Sequence, residues 1–134
     1  MVRQTIAVIS TIVNLAVLAT PLQAHHSFAA FDQNQRMTWE GVVTEVQWKN
    51  PHSWIHVDVT DASGKTVNWG FESTSPVQLV QRIKPSILKA GVRISVTGAP
   101  GRDPSLHIGT FEQFTIDGVT YYPMRPSGRE RGAP

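Results

Sequence analysis

The sequence predicts an all-β domain with one helix, a small five-stranded OB-like barrel that follows a signal peptide. Three observations point there. Alternating apolar and polar residues recur in strand-length runs after residue 36. A single helix start, Ser75-Pro76-Val77-Gln78, falls between the third and fourth runs. The chain opens with Met-Val-Arg-Gln, an apolar stretch from Thr5 to Leu18, then Pro21 and the small residue Ala24. That is the order of a cleavable export signal. A spanning helix needs about 20 mostly apolar residues. This stretch is shorter and carries Ser10, Thr11 and Asn14, so cleavage after Ala24 is expected rather than a stable membrane anchor.

The strands follow in order. Met37 to Trp48 is long and alternating, with Val42, Val46 and Trp48 on one face and Glu45 and Gln47 on the other. Gly41 within it suggests a bulge or bend. Lys49-Asn50-Pro51-His52 breaks the run. Trp54 to Thr60 then places Ile55, Val57 and Val59 on one face, and Trp54, His56 and Asp58 on the other. Asp61-Ala62-Ser63-Gly64 joins this strand to a third, Thr66 to Glu72. In the helix, Ser75 is expected to cap, Pro76 to take the first position and Gln78 to reach back in a capping box. Val80 and Ile83 supply its apolar stripe and Pro85 ends it. Val92, Ile94 and Val96 mark a fourth strand and Leu106 to Ile116 a fifth. Asp117-Gly118 turns the chain into a short return strand, Val119 to Tyr122. Three strands, a helix and two strands is the OB order; a small antiparallel sandwich is the rival.

This divides the chain into a signal peptide (1–24), an N-terminal leader (25–35), the barrel domain (36–122) and a tail (123–134). The tail is rich in Pro, Gly and Arg, a composition that favours disorder. Lys and Arg number 12 against 10 Asp and Glu, and Arg125, Arg129 and Arg131 all lie in that tail. The folded part is therefore slightly acidic, which argues against a nucleic-acid surface. With no cysteine, thiol chemistry and cysteine metal sites are excluded.

The five histidines are the chemical resource: His25, His26, His52, His56 and His107. Cleavage after Ala24 leaves His25 with a free amine beside its imidazole. That pair chelates Cu(II), and one more imidazole completes a T-shaped, all-nitrogen histidine brace, donors that copper favours. His26, His52 and His56 are the available imidazoles. His52 is favoured because it lies in the loop after the first strand, at the binding rim of an OB-fold. His107 lies just past the other rim loop. The expected metal ligands are therefore His25, His26 and His52, with copper as the cofactor. A zinc site would call on a carboxylate as well, for which Glu72 is the candidate. Singly, each histidine has an ordinary reading as a turn or surface residue; the grouping at a free terminus raises the metal reading.

Four tryptophans offer a second possibility, an aromatic platform around Trp54 for a sugar, peptide or protein. Core and rim packing is their more ordinary role. Ser27 lacks a nucleophile elbow and an orienting acid, and Asp58, Asp61 and Glu72 have no fixed separation, so no enzyme is expected.

HHSFAAFD, GVVTEVQWKNPHSWIHVDV, and NWGFES with LKAG and RISVTGAPGRD are similar to a family of bacterial exported proteins of unknown function. The resemblance runs from His25 to about Ile116 and rests on the HHSF and NPHSW motifs. It implies a periplasmic location and matches His25, His26, Ser27, Phe28, Asn50, Pro51, His52, Trp69 and Glu72. His107 falls outside the pattern, and Asp103-Pro104 stands where the family often has Asp-Gly. A periplasmic module for copper sequestration or delivery follows, with a metal ion and a periplasmic protein as expected partners. The alternatives are an adaptor or ligand-binding barrel without metal and a purely structural envelope component. Mass spectrometry of the exported protein should find His25 at the N-terminus; Thr20 there would move the cut to Ala19.

Overall fold

A computed structural model describes residues 26–124, without the side chains of His26 and Ser27. The expected signal peptide, His25 and the chain from residue 125 onward lie outside the described residues. The fold is mostly β. Strands β1 (Met37–Gln47), β2 (Trp54–Thr60) and β3 (Thr66–Glu72) form a meander. The short helix α2 (Pro76–Val80) follows, then β4 (Arg93–Gly98), β5 (Ile108–Thr110), β6 (Gln113–Ile116) and β7 (Val119–Tyr121). A single turn of helix, α1 (His26–Ala29), precedes β1.

The expected closed barrel of five strands does not form. The seven strands make one open sheet in the order β5-β3-β2-β1-β4-β6-β7. The run expected as a single fifth strand breaks at Phe111-Glu112. Its first part, β5, lies parallel to β3, while its second, β6, pairs antiparallel with β4. The chain after β4 meets β5 through the isolated bridge Pro100↔Gly109. Two backbone hydrogen bonds flank that bridge, Thr110 N–H to the Ala99 carbonyl at 2.9 Å and Gly101 N–H to the Ile108 carbonyl at 2.8 Å, and a 3-10 turn at Pro104–Leu106 then leads the chain away. β7 adds an edge beyond β6 rather than a seam.

The faces of β2 and β4 follow the alternation, with Ile55, Val57, Ile94 and Val96 buried. β1 departs from it. Trp39 and Val43 point inward, not Val42, and the register slips between Val43 and Glu45. That bulge at Thr44 resets the parity so that Val46 and Trp48 again pack on the core. Gly41 permits a close approach between strands, since a Cβ there would sit 2.1 Å from the carbonyl oxygen of Asp58.

The helix also differs in detail. Ser75 makes no side-chain cap, and Gln78 bonds the Thr74 hydroxyl instead. Val80 is exposed; Leu79, Ile83 and Leu88 enter the core with Phe71, Phe111 and Phe114. The stripe shifts because the helix ends at Val80 and turns carry the chain onward.

At the β4 end of the sheet, a Cβ on Gly98 would sit 1.9 Å from the carbonyl oxygen of Thr110. Backbone, unlike a flexible side chain, cannot swing aside. Gly98→Ala is expected to cost about 3 kcal/mol in urea unfolding, the upper range for overpacking. An unchanged midpoint would show that β5 can move away without loss.

Candidate functional site

His52 sits in the turn between β1 and β2, directly after a cis Asn50–Pro51 bond. Two backbone hydrogen bonds tie that turn to the end of β3. Ser53 N–H donates to the Thr74 carbonyl and Ser73 N–H to the Ser53 carbonyl, each at 2.9 Å. Trp54 lies opposite Glu72 in the β2–β3 register. The neighbouring loop residue is thereby brought to the carboxylate, and Nδ1 of His52 meets Oε1 of Glu72. Glu72 is only 11% exposed at its side chain and His52 34%.

Glu72 is itself held on its other side. It lies opposite Thr110 in the parallel β3–β5 pair, and its carbonyl accepts from Phe111 N–H at 2.7 Å. Thr110 is buried; its hydroxyl accepts from Ala99 N–H at 2.7 Å and donates to Glu112 at 2.8 Å. A carboxylate that accepts at Nδ1 fixes the ring orientation and leaves Nε2 as the imidazole's remaining donor atom for a ligand.

A pocket of about 360 Å³ opens beside this pair, lined by His52, Glu72, Ser73, Phe28, Phe31 and Met124 among others. Phe28 and Phe31 come from the leader. Phe31 is 1% exposed and bridges to Gly101. Asp32 N–H donates to Pro100 at 2.8 Å, and Arg102 donates to the Ala30 and Ala29 carbonyls at 2.9 and 3.1 Å. The leader is thus pinned along the 100–102 segment, and its start reaches the His52 pocket through Phe28.

A family model described as a family of unknown function, DUF6152, matches residues 12–110. The chain belongs to that family. The matched segment spans the leader, the His52 turn, Glu72 and Thr110, and stops before Met124. Neither a curated protein nor a solved structure matches this DUF6152 member.

Of the expected ligands, the described residues hold only the His52 side chain and the backbone of His26. His25 lies outside them. Among the described residues, no cluster of three or more His, Asp or Glu side chains is poised around a metal. Glu72, the candidate carboxylate for zinc, is instead the partner of His52. His56 stays apart from His52, because β2 begins only at Trp54. It lies on the outer face beside Trp54, whose ring covers Gly70: a Cβ there would be 3.4 Å from Trp54 and 3.6 Å from His56.

His107 belongs to a second pocket, of about 320 Å³, with Trp69, Met37, Asp32, Arg102 and Asp103. Its φ of 47° is left-handed, its carbonyl accepts from Gly70 N–H at 3.0 Å, and its ring stands edge-on to Trp69 at 5.4 Å. Asp103 is committed to the 3-10 turn. The Ser105 hydroxyl, at 2.6 Å, and then the Ser105 amide hold its carboxyl below the ordinary range. Alternation and spacing do not reveal the His52–Glu72 pair, whose members stand 20 residues apart in sequence. The signal that could have found it is the antiparallel register, which sets Glu72 opposite the first residue of β2.

Glu72→Ala should destabilise the domain by about 2 kcal/mol, since it strips a charge-assisted hydrogen bond from a mostly buried group. Urea unfolding of the variant beside wild type measures this. A change too small to detect would mean that the pair contributes nothing net to stability.

Proposed function

We propose that the protein is a periplasmic copper-binding module for sequestration or delivery, with His25, His26 and His52 as ligands and no catalytic activity. One observation carries the reading: Phe28 of the leader and His52 of the β1–β2 turn line the same pocket. His26 precedes Phe28 by two residues, so a chain cut after Ala24 would begin within a short reach of the His52 ring. An amine and imidazole from His25 supply the chelating pair. His52, steadied at Nδ1 by Glu72, supplies a second imidazole through Nε2, and His26 a further nitrogen. Such an all-nitrogen set favours Cu(II) over other divalent ions of the first transition row.

The carboxylate–histidine arrangement adds a physical argument. An imidazole held by a carboxylate is oriented before the metal arrives and is the more basic ligand for it. A mostly buried glutamate at the rim of a pocket thereby gains a role beyond its part in stability.

The chain beginning at His25 should bind one Cu(II), with a paramagnetic resonance spectrum of nitrogen ligation. Adding one residue before His25 removes the six-membered amine–imidazole chelate and should abolish that spectrum. Identical spectra with and without the extra residue would defeat the brace. They would return attention to a metal-free adaptor that binds through the Trp54 face.

A further inference from the structure

A methionine also lines the His52 pocket. Met124, half-buried at the end of the described chain, lines it together with His52 and Glu72. Pro123 before it is buried, which anchors the backbone there. Glu72 occupies Nδ1 of His52, so Nε2 is the nitrogen left for a ligand. Phe28, Phe31 and Pro51 supply the apolar part of the lining, and Ser73, Ser75 and Gln78 belong to its polar part. A neutral imidazole and a thioether form a soft, uncharged donor pair, and thioether ligands select Cu(I) among biological metals.

We propose that His52 and Met124 form a binding site for monovalent copper in this pocket. It shares His52 with the Cu(II) site proposed above but needs no free N-terminus, so the two stand or fall separately. No change of oxidation state is involved: the ion enters as Cu(I) and stays so. The ordinary role of such a methionine is to fill a gap in packing, which leucine does nearly as well. That makes Met124→Leu a substitution that removes the sulfur and keeps the shape.

The composition makes the experiment clean. From His25 onward the chain has no cysteine and only two methionines, Met37 and Met124. Met37 lines the other pocket, beside His107. Any sulfur bound to copper therefore comes from one of the two. The chain beginning at His25 is loaded with Cu(I) without oxygen and measured by X-ray absorption and by competition with bicinchoninate.

Wild type should show a sulfur neighbour at copper. Met124→Leu should lose it and weaken Cu(I) binding at least about tenfold, or about 1.4 kcal/mol, with its melting temperature and Cu(II) spectrum unchanged. His52→Ala should weaken Cu(I) binding as well, and Met37→Leu should change nothing. Absence of sulfur in wild type, or its persistence in Met124→Leu, overturns the site whether or not any variant folds poorly. An extra residue before His25 tests the other reading alone: it should erase the Cu(II) spectrum and leave the Cu(I) sulfur signal in place.

Discussion

The parallel pairing of β3 with β5 is the constraint on which the rest of this molecule hangs. Parallel neighbours cannot be joined by a tight turn; they need a long crossover. Residues 73–107 supply it, and on the way they bury Leu79, Ile83 and Leu88 and lay down β4 beside β1. The pairing also decides the environment of Glu72. Without β5, that residue would end an edge strand with its carboxylate in water. With β5 in place it lies opposite Thr110 and is mostly buried, where a hydrogen-bonding partner matters. His52 is that partner.

The pocket beside His52 is assembled from five separate stretches of chain: the leader, the β1–β2 turn, the end of β3, β5 and the segment after β7. None of them could form it alone. The backbone ties are short and direct, from Ser53 and Ser73 on one side to Phe31, Asp32 and Arg102 on the other. The His52 imidazole therefore rests on the sheet through Glu72. This is the usual requirement for a metal site, whose ligands must be oriented before the ion arrives. The second pocket, around His107, lacks this support: Asp103 is spent on its own turn, and the His107 ring packs against Trp69.

Much of the sheet was legible because alternation has a period of two and tolerates no ambiguity of face within a regular strand. β2 and β4 present the residues their patterns promise. β1 breaks the pattern at Thr44, since a bulge adds one residue and reverses the parity on either side of it. Sequence patterning marks Gly41 as unusual but does not distinguish a bend from a close approach to the next strand. The helix misled in a similar way. Ser75-Pro76 announces its start, yet whether the serine caps depends on what competes for nearby donors, and here Thr74 engages Gln78.

The sequence by itself determined the β character, the helix start after β3 and the concentration of histidine near the leader and the first turn. These follow from local periodicity, Pro and Gly punctuation and composition, all of which are properties of short segments. The tertiary structure alone decided that the sheet stays open, that Glu72 faces His52, and that Met124 returns to the same pocket. Those outcomes depend on which distant strands pair and where a ladder stops. The break at Phe111-Glu112 and the parallel register between β3 and β5 settle them, and neither can be read from periodicity within a segment.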